Sequence, residues 1–297
     1  MKIMYNCLIK NFIYAIIKQI KGGIMTKIIS FANQKGGVGK TTTCVNLATY
    51  LAAYGKKILL VDLDPQGNAT TGVGVEKTKE MKTFFDVVSG ESDIIDIIQP
   101  TNIRGLYIVP SNVDLAGAEV ALVQTENREK VLANQLETVK NSYDYVLMDC
   151  PPSLGLITVN ALTATDSVVI PIQCEFYALE GLSQLMNTIK LIKKYYNSKI
   201  DIEGVILTMK DNRSNLVNQV AKDIKEFFGK KVYDTVIPRN IRLAEAPSYG
   251  LPIYLYDNKS SGGIAYHELA REFLRRNKDS GALIEKRKLF KGDLKNE

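Results

Sequence analysis

The sequence predicts an α/β protein built on one doubly wound, mostly parallel sheet with helices on both faces. Apolar runs of strand length alternate with amphipathic stretches of helical spacing, an order that favours a parallel sheet. Several of these runs end in an acidic residue or lead into a glycine-rich loop. Ligands of such sheets bind beyond the carboxyl ends of the strands, so we expect the functional site there.

The strands are predicted from short apolar runs that end at polar residues or turn signals. They are Ile28–Ala32, Lys57–Asp64, Leu106–Pro110, Tyr143–Asp149, Ser167–Pro171, Ile202–Met209 and Val232–Ile237. Helices are predicted where apolar residues recur every three or four positions. They are Val45–Leu51, Thr83–Val88, Asp93–Ile98, Ala116–Val139, Ala178–Tyr195, Asn215–Phe228 and Gly263–Arg275.

The 297 residues, 45% of them apolar, suffice for one large α/β domain. We expect it to span residues 25–277, between an N-terminal extension (1–24) and a basic tail (278–297). Four of the six net positive charges come from lysines of the extension, which has no acidic residue. The remainder is nearly neutral, so any contact with nucleic acid has to come from a local basic patch.

The extension allows three interpretations. Its apolar residues recur at helical spacing between lysines, as in an amphipathic membrane anchor. A signal peptide is disfavoured, because lysines interrupt the apolar region and no small-residue cleavage site follows. We favour the third, that translation starts at Met25, because codons for Lys21-Gly22-Gly23 can spell a ribosome-binding site just upstream.

Cysteine and histidine usage argues against a zinc site or a disulfide framework. The four cysteines are widely spaced without a C-x-x-C pattern, and His267 is the single histidine. This usage fits a reducing cytosol. No apolar run is long enough to span a bilayer, so we expect a cytoplasmic protein.

A glycine-rich loop joins the first predicted strand to the first helix. It reads Lys35-Gly36-Gly37-Val38-Gly39-Lys40-Thr41-Thr42. At a strand-to-helix junction, such a loop directs backbone N–H groups and the positive end of the helix at one point, which suits a polyphosphate. Lys40 is placed to reach the β- and γ-phosphates of a nucleotide, and the Thr41 hydroxyl to hold Mg²⁺.

The loop departs from the strict phosphate-binding pattern at its start. That pattern requires glycine at the position of Gln34, and here a second lysine, Lys35, follows. The simplest explanation of Lys35 is an ordinary solvated side chain. Its place within a complete strand, loop and helix favours a function of its own.

Two acidic residues end apolar strands beside this loop in the predicted fold. A carboxylate in that position commonly holds Mg²⁺ near the phosphates, and we assign this role to Asp149. Asp64 is placed to orient the water that attacks the γ-phosphate and to join the metal site. Either acid alone would more simply be a turn former. Together with the loop, they indicate nucleotide hydrolysis.

The chain resembles the partitioning ATPases of the ParA/Soj type, members of the ParA/MinD family with a deviant Walker A loop. Besides the loop, the resemblance rests on four strings in the family's order. They are Asp62–Asn68, Asp149–Ser153, Pro171–Leu182 and Ile237–Ser248. The resemblance covers nearly all of residues 25–270.

This resemblance implies a slow, partner-stimulated ATPase that uses ATP and Mg²⁺. ATP would bring two copies face to face, with Lys35 reaching the partner's phosphates and Gly36 and Gly37 letting the two loops approach. The implied catalytic residues are Lys35, Lys40 and Asp64, and the implied metal site is Thr41, Asp64 and Asp149. The implied nucleotide contacts are Lys35, Gly36, Gly37, Val38, Gly39, Lys40, Thr41, Thr42, Asp149, Pro238 and Asn240.

In that family the ATP-bound dimer binds double-stranded DNA without sequence preference, together with a ParB- or Spo0J-like centromere-binding protein. By position, the DNA contacts would be Arg213, Arg242 and Lys210. The alternative is that these are ordinary solvated cations. The resemblance thus implies a cytoplasmic, nucleoid-associated protein that drives chromosome or plasmid segregation.

Three other functions remain to be distinguished. A MinD-like positioning ATPase would bind membranes through an amphipathic tail such as Leu283–Phe290, although we expect no membrane partner. A redox ATPase like the nitrogenase iron protein would need cysteines that bridge a cluster. A nucleotide-gated scaffold would bind ATP without hydrolysing it.

Overall fold

A computed structural model describes residues 25–175, 178–210 and 215–279, and within them seven strands form one sheet. They are β1 (Lys27–Phe31), β2 (Ile58–Asp62), β3 (Gln99–Pro100), β4 (Leu106–Val109), β5 (Tyr145–Asp149), β6 (Ser167–Gln173) and β7 (Asp201–Thr208). Their order is β3-β4-β2-β5-β1-β6-β7, and only the edge strand β3 is antiparallel to its neighbour. The predicted doubly wound, mostly parallel sheet is confirmed.

Helices cover both faces of this sheet. They are α1 (Lys40–Ala53), α2 (Asn68–Gly72), α3 (Phe84–Val88), α4 (Ile94–Ile97), α5 (Ala116–Val123), α6 (Val131–Val139), α7 (Leu156–Ala164), α8 (Ala178–Tyr195), α9 (Asn215–Phe228), α10 (Ile241–Glu245), α11 (Ile253–Asp257) and α12 (Ser261–Arg276). Successive strand residues point to opposite faces, so Val146 belongs to one core and Leu147 to the other. Helices α1 and α12 cover one face, and α5 to α9 cover the other.

Two predicted elements differ from the structure. The helix predicted over Ala116–Val139 is two helices, α5 and α6, because Asn127 has a left-handed φ of 50° that a continuing helix does not allow. The predicted strand Val232–Ile237 does not form a continuous ladder. It joins β7 through an isolated bridge at Val232 and through the N–H groups of Tyr233 and Ile237, which donate to the Val205 and Leu207 carbonyls at 2.8 and 2.9 Å. Val232 and Ile237 are nevertheless buried, so this segment has the apolar pattern of a strand without its ladder.

Helix α7 was not predicted, and its start explains why. The N–H groups of Leu156 and Ile157 donate to the Glu119 carboxylate of α5 at 2.8 and 3.2 Å. A carboxylate at a helix N-terminus satisfies unpaired N–H groups and the helix dipole. Because this cap comes from a distant part of the chain, the local sequence does not reveal it.

Within the described residues, the packed part of the chain extends to Asp279, two residues past the predicted end of the domain at residue 277. Its carboxylate accepts hydrogen bonds from Lys56 Nζ at 2.6 Å and from the Tyr145 hydroxyl at 3.0 Å. The predicted extension and residues 280–297, including Leu283–Phe290, lie outside the described residues. None of the helices in the described part of the chain is long and apolar enough to cross a membrane.

Candidate nucleotide-binding site

The glycine-rich loop lies where β1 ends and α1 begins, as predicted. Gly37 and Gly39 have left-handed φ values of 74° and 85°, and Gly39 is the residue that caps α1. Only glycine adopts this conformation without strain. Thr208, at the end of β7, donates from its hydroxyl to the Val38 carbonyl at 2.8 Å and ties the loop to the sheet.

Lys40, the second lysine of the loop, is buried inside the site. Its Nζ donates to the Lys35 carbonyl at 3.1 Å, and 7% of the residue is exposed. Burial lowers the pKa of Lys40, and the nearby Asp149 carboxylate partly offsets that effect. The ammonium therefore faces inward, where a nucleotide's phosphates would lie.

Asp149 ends β5 and pairs in register with Phe31 of β1 and Asp62 of β2. It is fully buried, and neither carboxylate oxygen has a hydrogen-bond partner among the described residues. Burial raises the pKa of Asp149 well above its usual range, and the neighbouring Asp62 charge raises it further. A buried acceptor without a partner is costly unless a ligand satisfies it.

This orphaned carboxylate fits Mg²⁺, a hard cation that prefers oxygen ligands. The hydroxyl of Thr41, which follows Lys40 at the start of α1, is near enough to lower the pKa of Asp149, although it forms no hydrogen bond of normal geometry with either carboxylate oxygen. Among the described residues, no group of three or more His, Cys, Asp or Glu side chains converges on a metal position. Mg²⁺ in nucleotide sites needs fewer protein ligands, because phosphates and water supply the rest.

Asp62 belongs to the site, but the sequence did not assign it a role. The buried Asp62 carboxylate accepts hydrogen bonds from the Thr70 N–H and hydroxyl, both at 2.8 Å, and from the Asp64 N–H at 3.2 Å. Burial raises the pKa of Asp62 to about 6. The available signal was an acidic residue at the end of an otherwise apolar strand, two positions before Asp64.

Most of the predicted nucleotide contacts line one cavity of about 580 Å³, a size typical of small-molecule sites. Those that line it are Gly36, Gly37, Gly39, Lys40, Thr41, Thr42, Pro238 and Asn240, and Asp64, predicted as a catalytic and metal-site residue, lines it too. Lys35, Val38 and Asp149 are not among its lining residues. Asn68, Met209 and Tyr266 also line this cavity and were not predicted.

The cavity wall formed by Pro238 and Asn240 is held by the Asn240 side chain. Its Oδ1 caps α10 by accepting from the N–H groups of Arg242 and Leu243 at 2.8 and 3.3 Å. Its Nδ2 donates to the Ser261 hydroxyl of α12 at 2.7 Å. These hydrogen bonds tie the wall to α12, which covers the same face of the sheet as α1.

Lys35 is paired with a carboxylate instead of being simply solvated, and it does not line the cavity. Its ammonium forms an ion pair with Glu175, which follows β6, and its N–H donates to Asn33 Oδ1 at 3.0 Å. Both side chains of the pair are partly exposed, at 35% and 45%. Within one protomer, Lys35 is thus held outside the nucleotide cavity.

The structure describes two of the three predicted DNA-binding residues, Arg242 and Lys210. Arg242 is half-exposed and pairs with Glu245 at 2.9 Å and Asp257 at 3.7 Å. Lys210 lines a neighbouring cavity of about 430 Å³ with Pro238, which also lines the nucleotide cavity. Arg213 lies outside the described residues, so its position relative to the other two is not defined.

Comparisons with known proteins agree with this site. A sequence-family profile described as an AAA domain matches residues 26–202. The chain is 58% identical to the sporulation initiation inhibitor protein Soj of Bacillus subtilis, over 84% of this chain and 98% of Soj. It is 51% identical to the chromosome partitioning protein ParA of Caulobacter vibrioides, over 86% of this chain and 97% of ParA.

A solved structure described as cobyrinic acid a,c-diamide synthase from Mycobacterium smegmatis, with bound ADP and magnesium, has the same fold. Its TM-score is 0.75 at 35% identity, over 86% of this chain and 97% of that one. The nucleotide and ion in that structure are of the kind that the sequence predicts here. The identity to Soj and ParA, over nearly their whole length, carries the assignment: this chain belongs to the Soj/ParA family of P-loop nucleotide hydrolases.

Proposed function

We propose that this chain is an ATP-driven switch that dimerises when it binds ATP, then binds DNA without sequence preference and segregates chromosomes or plasmids. The names of its relatives Soj and ParA support the segregation role. One observation carries the switch itself. The two lysines of one loop occupy opposite environments, Lys40 buried in its own site and Lys35 held outside it.

Each residue of the site then has a defined task. Lys40, Thr41 and the N–H groups of the loop bind the phosphates, and Asp149 with Thr41 holds Mg²⁺. The bound ion would neutralise charge on the β- and γ-phosphates. Asp64, at the cavity wall, orients the attacking water. Pro238 and Asn240 form the wall against which the base lies.

Dimerisation explains a glycine that a single protomer does not require. Gly36 does not have a left-handed φ, and a Cβ built on it would meet no atom within 4 Å. Neither backbone strain nor packing within the described chain therefore excludes a side chain there. A second copy that brings its own loop against this surface would exclude one.

In the proposed dimer, Lys35 leaves Glu175 and reaches the partner's nucleotide. A cation supplied across an interface in this way stabilises charge on a transferring phosphate, as an arginine finger does. The half-exposed ion pair that it leaves is worth only about 0.2–1 kcal/mol, which contacts with a triphosphate exceed. Hydrolysis is slow and is stimulated by a ParB-like centromere-binding protein.

The DNA-binding surface is assigned to Arg213, Arg242 and Lys210. Arg242 is exposed near the nucleotide cavity, and Lys210 follows β7, whose end contacts the loop through Thr208. The positions of Arg242 and Lys210 suit phosphate contacts that depend on the nucleotide state. The resulting protein would work in the cytoplasm on the nucleoid.

One titration tests the proposal. Binding to duplex DNA is measured with ADP, ATP and a slowly hydrolysed ATP analogue, each at two salt concentrations. We expect binding only with the triphosphates, weakened by salt with a log–log slope of roughly −0.9 per neutralised phosphate. DNA affinity that is the same in all nucleotide states would contradict the switch.

A double variant tests the surface separately. Arg213→Ala with Arg242→Ala should weaken DNA binding on every sequence while ATP-dependent dimerisation survives. Unchanged DNA affinity would remove these arginines from the interface. Binding of the wild-type protein to anionic liposomes with ATP, without DNA binding, would instead favour a membrane-associated positioning ATPase.

A further inference from the structure

The loop that carries Asp64 is held in place by residues outside the proposed catalytic set. After β2 the chain turns at residues 64–67 and enters α2. The carbonyl of Asp64 accepts hydrogen bonds from the Gly67 N–H at 2.8 Å and from the Ser111 hydroxyl at 2.7 Å. Ser111 follows β4, a strand that contributes no predicted site residue.

Ser111 is also connected to Asp64 by a second route, which is buried except at its Asp64 end. Its N–H donates to the Thr70 hydroxyl at 2.9 Å, and that hydroxyl donates to Asp62 Oδ2 at 2.8 Å. The other Asp62 oxygen accepts from the Asp64 N–H at 3.2 Å. Asp62, Thr70 and Ser111 are all 0% exposed, so water does not compete for these bonds.

Close packing supports the same connection. Gly67 has a left-handed φ of 60°, and a Cβ built on it would lie 2.5 Å from the Ser111 carbonyl oxygen. The turn therefore lies directly against Ser111, with no space for it to shift toward β4. Backbone packing and two hydrogen-bonded routes all restrict the position of Asp64.

We propose that Ser111 and Thr70 are positioning residues for ATP hydrolysis, which act by holding Asp64 in the orientation that directs the attacking water. The inference rests on the proposed role of Asp64. Misplacing a reacting group by about 1 Å can cost on the order of 10²-fold in rate. Loss of this restraint should therefore slow hydrolysis and leave ATP affinity unchanged, because Lys40, Thr41 and the loop bind the phosphates.

Ser111→Ala is the sharpest variant, because it removes the hydroxyl bond to Asp64 and keeps the Ser111 N–H bond to Thr70. With ATP stoichiometric with the protein and both well above the Kd, so that every protomer is loaded once, its single-turnover hydrolysis should fall about 3- to 10-fold, the range expected from losing one hydrogen bond. Its Kd for ATP should stay within about twofold of wild type. Thr70→Val should lose more rate, and Thr70→Ser, which keeps the hydroxyl, should retain it.

Thr49→Val is the matched control for a lost buried hydroxyl. Thr49 is 0% exposed in α1, and its hydroxyl donates only to the Val45 carbonyl, at 2.9 Å. Thermal unfolding should show similar losses of stability for Thr49→Val and Ser111→Ala. Only Ser111→Ala should hydrolyse ATP more slowly.

Asp64→Ala separates failure of this inference from failure of the proposed function. If Asp64→Ala is slow while Ser111→Ala keeps the wild-type rate, only the positioning role is overturned. The same conclusion follows if Thr49→Val loses as much rate as Ser111→Ala. If Asp64→Ala keeps the wild-type rate, the catalytic role of Asp64 and the inference built on it both fail.

Discussion

Lys35 and Lys40 lie five positions apart in one loop, yet the structure treats them differently. Lys40 is buried, donates to a backbone carbonyl, and has its pKa lowered by burial. Lys35 is partly exposed and paired with the carboxylate of Glu175, which follows β6. The same loop thus places Lys40 in its own cavity and Lys35 at the partly exposed surface outside it.

The neighbouring glycines show the same division. Gly39 and Gly37 have left-handed φ values, so the loop's own conformation requires them. Gly36 has neither a left-handed φ nor a close neighbour. The protomer explains the inner half of the loop, and the proposed dimer would explain the outer half.

Replacing each lysine in turn tests most directly whether Lys35 and Lys40 have different roles. Lys40→Ala should weaken ATP binding by the protomer by at least about 100-fold, because charge-assisted bonds to phosphate are lost. Lys35→Ala should leave that affinity within about threefold, since Lys35 lies outside the cavity. Calorimetry at protein concentrations below dimerisation measures both. Equal losses for the two variants would contradict the division of roles.

Asp149→Asn tests the buried part of the nucleotide site. Asp149→Asn should stabilise the nucleotide-free protein at pH 7.5 by on the order of 1–3 kcal/mol, because a neutral amide replaces a carboxylate whose charge is disfavoured by burial and by the neighbouring Asp62. The same variant should lose most of the stabilisation that Mg²⁺ and ATP confer on wild type. Thermal unfolding with and without the ligands measures both effects. A variant less stable than wild type without ligand would show that Asp149 already has a stabilising partner.

The stabilisation gained from Asp149→Asn should depend on pH, because folding shifts the pKa values of Asp62 and Asp149. Folding raises the pKa of both Asp62 and Asp149 above the value of about 3.9 in an unfolded chain. Such groups contribute stability that is present below pH 4 and is lost as the pH rises through their folded pKa values. The advantage of Asp149→Asn should therefore shrink as the pH falls toward 4. An advantage that grew in acid would contradict the assigned shifts.

Glu175→Gln tests the exposed side and should have the smallest effect. Removing the half-exposed ion pair frees Lys35, so dimerisation should need about 1.5- to 5-fold less ATP. Light scattering across an ATP titration measures this. Glu268→Gln is the matched control, since it removes another exposed ion pair, with Arg271 of α12. A higher ATP requirement for Glu175→Gln would mean that Glu175 supports the ATP-bound assembly instead.

The sequence was most informative where a local pattern has one structural meaning. The apolar strands that end at Asp149 and at the glycine loop were predicted, because burial between two helical layers requires apolar runs. Helix α7 was missed because Glu119, far along the chain, supplies its cap. The segment from Val232 to Ile237 was wrongly predicted as a strand, because burial alone produces the same pattern.

In the site, residue types were predictable but their partners were not. Lys40, Thr41 and Asp64 follow from the loop and from acids at strand ends, and the structure places all three on one cavity. The ion pair of Lys35 with Glu175 and the contact of Ser111 with Asp64 join strands that are far apart in the sequence and adjacent in the sheet. Only the topology of the sheet brings those residues together, so no local spacing indicates them.

The most direct test of the central claim is the mass of the protein in solution with Mg²⁺ and a non-hydrolysable ATP analogue. Light scattering should give twice the 33.0 kDa of the protomer for wild type and the protomer mass for Lys35→Ala. With ADP, both proteins should have the protomer mass. A wild-type protein that stays at 33.0 kDa with the analogue, or a Lys35→Ala variant that dimerises as well as wild type, would contradict the account.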